Sequence, residues 1–115
     1  MKTQALNSSS FGSVYTHKLI KRHEKIADAA MPQLKKIAKD IDIFLVNTKI
    51  RNDKRVKGKL LGLFAGKMHK GKIQDVAPTM FATQTYGRSK EDAVKILVSQ
   101  AKEAVKQAKK LKHNI

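Results

Sequence analysis

Apolar residues recur at helical spacing through the first third of the chain. Residues 15–41, YTHKLIKRHEKIADAAMPQLKKIAKDI, hold one apolar face at intervals of three or four residues, and Thr16 is placed to cap its start. The face consists of Leu19, His23, Ile26, Ala30, Leu34, Ile37 and Ile41. Pro32 removes a backbone donor inside this pattern. We therefore expect either one kinked helix or, as the favoured prediction, two closely joined helical pieces.

From Ile41 the pattern changes to alternation that is rich in β-branched and aromatic residues. Three segments predict strands: IDIFLVNTKI at 41–50, KGKLLGLFAGKM at 57–68 and APTMFATQTY at 77–86. The connections RNDKRVKG and HKGKIQDV contain the Asn, Asp and Gly residues of turns. Because both connections are short, we expect the three strands to form an antiparallel meander.

The last segment, residues 87–115, predicts a long helix. Ser89 is placed as its N-cap, with Asp92 three residues later as in a capping box. An apolar stripe at helical spacing follows: Val94, Leu97, Ala101, Ala104, Ala108 and Leu111. Acidic residues stand in the first turn and lysines in the last, as the helix dipole favours.

These elements predict one small α+β domain over residues 14–115, after a flexible N-terminal arm at 1–13. The order is α-β-β-β-α, with a three-stranded antiparallel meander packed by a Pro-interrupted N-terminal helix and a long C-terminal helix. The length of 115 residues suits a single modest core.

The chain is strongly basic, since 25 Lys and Arg residues against 9 Asp and Glu give it a net charge of +16. Such an excess is relieved by an acidic partner, most commonly nucleic acid, although an acidic protein or an anionic membrane surface also fits. The absence of cysteine excludes disulfides and thiol chemistry. No apolar run suits a signal peptide or a membrane span, so a cytoplasmic location is expected.

The meander would bring the basic first hairpin, KIRNDKRVKGK, to the end of the sheet where the last helix begins. Residues 43–90 contain 11 cations and two acids, which exceeds what solubility needs. The predicted nucleic-acid-binding residues are Lys49, Arg51, Lys54, Arg55, Lys57, Lys59, Arg88 and Lys90. A secondary basic loop at the opposite end of the sheet would hold Lys67, His69, Lys70 and Lys72.

The α-β-β-β-α order, the basic first hairpin and GRSKEDA at residues 87–93 resemble the double-stranded RNA-binding domain. In that family the first hairpin and a Lys-rich start to the last helix grip the duplex, so the resemblance implies binding of duplex RNA. Lys90 matches one of the paired lysines of the family, whereas Glu91 stands where the other is expected. The first hairpin also lacks the histidine usual in the family. The strand-then-helix ending is similar as well to small antitoxin-type modules that share a β-β-β-α unit.

The sequence contains little evidence of an active site, so no catalytic residue, metal ligand or cofactor site is predicted. His23 lies on the apolar stripe, where a hydrogen-bonded core histidine is expected. His69 or His17 would be the general base if the chain were an RNase-like hydrolase. Asp40 and Asp42 are two residues apart at a helix-to-strand junction, where capping or solvation explains them.

The favoured hypothesis is a module that binds the nucleic-acid phosphate backbone, with duplex or structured RNA ahead of DNA. Lysine far outnumbers arginine, which favours phosphate contacts over reading of base edges. The alternative is a small basic interaction protein, of toxin, effector or phage type, that binds an acidic protein. An RNase-like enzyme and a membrane-surface binder rank well below the nucleic-acid-binding hypothesis.

Overall fold

Two helices pack on one face of a five-stranded mixed sheet. The computed structural model describes residues 13–49 and 59–113, with the side chains of 111–113 left out. The elements are β1 (Val14–His17), α1 (Lys21–Ile37), β2 (Asp42–Thr48), β3 (Leu60–His69), β4 (Lys72–Gln74), β5 (Phe81–Thr83) and α2 (Lys90–His113). This confirms the α+β class, while the predicted arm lies outside the described residues except for Ser13.

The predicted start of the first helix was wrong, because residues 14–17 form a strand. β1 pairs in parallel with β2, from Val14 beside Ile43 to His17 beside Val46. The β1–α1–β2 segment is therefore a parallel crossover, and the predicted cap Thr16 is an exposed strand residue. Val, Tyr and Thr favour strands. The pairing of these residues with β2 therefore outweighs their position directly before an apolar pattern of helical spacing, which begins at Leu19.

Pro32 lies inside one continuous helix, so the favoured division into two pieces was wrong. Pro32 and Asp28, the residue one turn before it, are both exposed. Pro32 has no N–H to donate to the carbonyl of Asp28, and this missing hydrogen bond lies on the exposed side of α1. The buried face of α1 continues across Pro32 from Ile26 to Leu34.

The predicted meander of β2, β3 and β5 is present. β2 pairs antiparallel with β3, with Thr48 opposite Leu60, and β5 pairs antiparallel with the other side of β3, with Thr83 opposite Leu61. The third strand is shorter than predicted, since only Phe81–Thr83 of residues 77–86 is strand.

A further strand that was not predicted, β4, pairs with the far end of β3. His69 is opposite Lys72, and the two residues between them, Lys70 and Gly71, have φ values of 51° and 78°. Positive φ at both positions matches a two-residue type I′ hairpin turn, in which glycine at the second position is unstrained.

The core lies between the helices and one face of β2 and β3. Ile43 and Leu45 alternate inward from β2, and Leu61, Leu63 and Ala65 do the same from β3. On the other face, Tyr15, Phe44 and Phe64 stack across three strands, with ring centroids 5.3 and 5.0 Å apart.

Asp42 is a buried acid that joins three strands at the start of β2. Its Oδ1 accepts a hydrogen bond from the backbone N–H of Ser13 at 2.8 Å, and its Oδ2 accepts one from Met68 at 2.7 Å. The expectation of capping or solvation is therefore wrong for Asp42, because the residue lies buried in β2 and its carboxylate accepts from backbone N–H groups of neighbouring segments. Asp40, two residues earlier, is exposed.

Candidate nucleic-acid interface

One end of the sheet gathers the ends of β1, β2 and β5 and the start of β3. Both helices also begin here, because α1 follows β1 and α2 follows β5. We call this the basic end, and its described cations are Lys18, Lys21, Arg22, Lys49, Lys59, Arg88 and Lys90. The end where α1 finishes and the β3–β4 turn lies is called the opposite end.

Asn47, near the end of β2, organises the turn between β1 and α1. Its Oδ1 accepts from the backbone N–H of Ile20 at 3.2 Å, and its Nδ2 donates to the carbonyl oxygen of Lys18 at 2.7 Å. Lys18 has a φ of 47°, a left-handed conformation that such tertiary contacts must hold in place. One side chain on β2 thus fixes where α1 begins.

His23 is fully buried beneath the basic end and uses both ring nitrogens. Nδ1 lies 2.9 Å from Asn47 Oδ1, and Nε2 lies 3.1 Å from Thr85 Oγ1. Because that amide oxygen also accepts from Ile20, Nδ1 is assigned the proton and Nε2 accepts from the Thr85 hydroxyl. The prediction of a hydrogen-bonded core histidine is confirmed.

Burial lowers the pKa of His23 below its ordinary value of 6.5, and the hydrogen bond to Asn47 offsets part of this effect. The positive charges of Arg22 and Lys59 lower the pKa further. His23 is therefore neutral near pH 7.

The loop between β5 and α2 is held against α1 by Arg22. The Nη1 of Arg22 donates to the carbonyl oxygen of Thr85 at 3.2 Å, and the guanidinium carbon lies 4.7 Å from the ring centre of Tyr86. This is within the range of a cation–π contact. The starts of the two helices are thus joined directly.

The start of α2 follows from its own sequence. Ser89 Oγ accepts from the backbone N–H of Asp92 at 3.1 Å, which confirms the predicted cap. Arg88 donates to Asp92 Oδ2 at 2.8 Å and to the carbonyl oxygen of Gln84 at 3.0 Å. Gly87 has a φ of 78°, which glycine adopts without strain. Most of the GRSKEDA motif is therefore used in starting the helix.

The predicted site residues divide into three groups. Lys49, Lys59 and Lys90 are exposed at the basic end, as the meander predicted, and Arg88 is there but paired with Asp92. The hairpin-tip residues Arg51, Lys54, Arg55 and Lys57 lie outside the described residues.

Lys18, Lys21 and Arg22 were not predicted to belong to this surface. All three fall within the helix predicted over residues 15–41, whereas Lys18 lies in the turn after β1 and the other two are the first residues of α1. The signal that could have found them is the strand-forming run VYTH before a polar turn, which permits a parallel strand–helix–strand unit.

The secondary basic loop lies at the opposite end, as predicted. His69, Lys70 and Lys72 are exposed in and beside the β3–β4 turn. Lys67 is half-buried, and its Nζ lies 3.4 Å from the carbonyl oxygen of Asp40. This cluster is therefore separated from the basic end by the length of β3.

The two candidate general bases do not share a site. His17 ends β1 at the basic end, whereas His69 ends β3 at the opposite end. Within the described ranges, no three His, Asp or Glu side chains group closely enough to bind a metal. A shallow depression at the start of α2 is lined by residues of the β5–α2 loop and the first turns of the helix, among them Tyr86, Arg88 and Lys95.

No family model, curated protein or solved structure matches this chain. The fold also departs from the α-β-β-β-α order of the double-stranded RNA-binding domain, because β1 precedes α1 and β4 follows β3. In the described residues, no helix is long and apolar enough to cross a membrane.

Proposed function

We propose that the chain binds the phosphate backbone of nucleic acid at the basic end, with duplex or structured RNA favoured over DNA. The observation that carries the proposal is the convergence of cations from three separate segments at one end of the sheet. These segments are the β1–α1 turn, the β2–β3 connection and the start of α2. Cations clustered from distant positions in sequence create a local positive potential that attracts a polyanion.

Lys49, Lys59 and Lys90 are the residues we assign first to phosphate contacts. All three are exposed, and their flexible ammonium groups suit single phosphate oxygens. Arg88 has a structural use in its bridge to Asp92, so we expect its substitution to act partly through the start of α2. By sequence, Arg51, Lys54, Arg55 and Lys57 add four cations between Lys49 and Lys59.

The start of α1 supplies backbone donors to the same surface. Ile20 stands at its N-cap without a side-chain hydrogen bond to the first turn, whereas Ser89 caps α2. Backbone N–H groups at a helix start favour anions, and here they lie beside Lys21 and Arg22. We assign them a supporting role next to the lysines.

The hydrogen bonds that the arginines make within the protein favour recognition of nucleic-acid shape over recognition of base sequence. Reading of guanine in a DNA major groove relies mainly on bidentate arginine contacts. Arg22 and Arg88, two of the four arginines in the chain, already donate within the protein. Duplex RNA is recognised largely by shape and backbone contacts, which lysines provide. The preference for RNA rests on this argument.

A salt titration with matched ligands tests the proposal. Purified protein freed of nucleic acid is titrated with an RNA duplex, a DNA duplex and single strands of the same sequence. We expect affinity to fall steeply with salt, because bound lysines release counterions, and to be highest for RNA duplex. Weak binding that ignores ligand shape and disappears at physiological salt contradicts the proposal and favours an acidic protein as the partner.

A further inference from the structure

Tyr86 is a large apolar side chain exposed at the basic end. It lies in the turn between β5 and α2, and 43% of its surface remains accessible. The other exposed large apolar residues in the described parts of the chain are Ile73, Val76 and Met80. These belong in sequence to the region from β4 to the residue before β5, whereas Tyr86 lies in the loop that follows β5.

The Tyr86 ring is held in a fixed place by Arg22. The guanidinium lies over the ring at 4.7 Å, and the same side chain is anchored by its hydrogen bond to the Thr85 carbonyl oxygen. Gly87, with its φ of 78°, turns the backbone directly after the ring. A tyrosine that is fixed in this way loses little conformational entropy when a second flat group stacks on it.

The surroundings of Tyr86 indicate what that second group is. Arg88 and Lys90 follow it in sequence, and Arg22 covers part of the ring. Nucleic-acid bases stack on aromatic side chains that lie beside cations holding the backbone. By contrast, Tyr15 and Phe64 are less exposed than Tyr86, and both stack on the buried Phe44 across the sheet.

We propose that Tyr86 stacks on an unpaired base, so that the preferred ligand is an RNA duplex adjoining an unpaired nucleotide. This inference rests on the proposed function, because the lysines of the basic end must hold the neighbouring backbone. A base inside a duplex is already stacked on both faces, so an unpaired base gains more from the tyrosine than a base within the duplex does. The ring then distinguishes a duplex with an overhang from a blunt duplex.

Three RNA probes test the inference: a blunt duplex, the same duplex with a short 3′ overhang, and one whose overhang has the same phosphates but abasic sugars. Affinities are measured for the wild type, Tyr86→Leu, Tyr86→Phe and the control Ile73→Ala, which also removes exposed apolar surface. We expect the wild type to bind the base-bearing overhang about tenfold more tightly than the abasic one. Tyr86→Leu should lose this preference while keeping its affinity for the blunt duplex, and Tyr86→Phe and Ile73→Ala should retain it.

The outcomes separate the two proposals. A wild type that binds all three probes equally overturns the stacking inference alone. A Tyr86→Leu variant that keeps the full preference for the base-bearing overhang also overturns the stacking inference. The same holds if thermal unfolding shows that the variant is fully folded and yet it loses affinity equally for every probe. A wild type that binds none of the probes overturns the proposed function itself.

Discussion

The Nδ1–H of His23 donates to Oδ1 of Asn47 at 2.9 Å and thereby joins α1 to β2 directly beneath the basic end. The same amide oxygen accepts from Ile20, and the amide nitrogen donates to Lys18. The pair lies at the centre of the contacts that set the start of α1 relative to the sheet. The position of the cations on α1 therefore depends on a neutral, buried network.

Replacement of Asn47 by alanine should destabilise the protein strongly. The change leaves the N–H groups of His23 and Ile20 and the carbonyl of Lys18 without their partner, so we expect the free energy of unfolding to fall by about 2–3 kcal/mol. Urea denaturation measures the change. The control Thr48→Ala truncates the half-buried next residue of β2, whose side chain lies on the other face of the sheet near Gly62. Equal losses in the two variants would contradict the role assigned to Asn47.

Stability should fall as the pH is lowered below about 6.5, in part because of His23. Its folded-state pKa is lower than its unfolded-state value, mainly through burial, so the unfolded chain binds the proton more readily. The contribution of His23 is therefore fully present above the unfolded pKa and is lost as the pH falls toward the folded pKa. Denaturation at a series of pH values in His23→Gln should show a shallower slope than the wild type below about pH 6.5.

His17→Gln is the matched control for this pH dependence, because His17 is exposed at the end of β1. Its slope should equal that of the wild type. A wild-type slope in His23→Gln would show that other groups cause the pH dependence. Titration of the His23 ring by NMR gives an independent check, since its resonances should change only at a pH below the ordinary range.

Removal of the Asp42 carboxylate should loosen β1 and the end of β3 together. Asp42→Ala leaves the N–H groups of Ser13 and Met68 without their acceptor, and hydrogen bonds to a charged group are worth about 1.5–3 kcal/mol each. We expect a loss of about 3 kcal/mol in unfolding free energy, with faster hydrogen exchange at both amides. Asp40→Ala, two residues earlier and exposed, should change little, and a comparable loss there would argue against this account.

The GRSKEDA motif should divide into residues for stability and residues for binding. Ser89→Ala removes the cap of α2 and should lower the unfolding free energy by about 1 kcal/mol, without changing RNA affinity per folded molecule. Lys90→Gln should instead lower the RNA affinity without lowering the unfolding free energy, because Lys90 is exposed and is assigned to a phosphate contact. Thermal unfolding and RNA binding on both variants check the division. Loss of stability in Lys90→Gln with unchanged affinity would contradict it.

Local patterns predicted much of the fold. The C-terminal helix followed from Ser89 and from the stripe containing Leu97 and Ala104, because capping and helical periodicity are encoded in neighbouring residues. The two long strands followed from alternation. The basic end itself followed from strand direction, since the meander alone brings Lys49, Lys59 and Lys90 together.

Two short strands were not predicted, because tertiary pairing decides their conformation more than their local sequence does. Residues 14–17 become a strand through parallel pairing with β2, a contact between residues about 29 positions apart that leaves no local period. β4 has three exposed residues and no apolar alternation. The hydrogen-bond network around Asn47 was not predicted either, because its members come from β2, α1 and the loop after β5, which are far apart in sequence.

The most direct test of the account compares two double variants that remove the same charge from opposite ends of the sheet. Lys49→Gln with Lys59→Gln alters the basic end, and Lys39→Gln with Lys72→Gln alters exposed residues at the opposite end. Affinity for an RNA duplex is measured over a range of salt concentrations. The account predicts that the first pair weakens binding and reduces the slope of log affinity against log salt by about 2, whereas the second pair leaves the slope near the wild-type value. Equal reductions by both pairs, or none by the first, would contradict binding at the basic end.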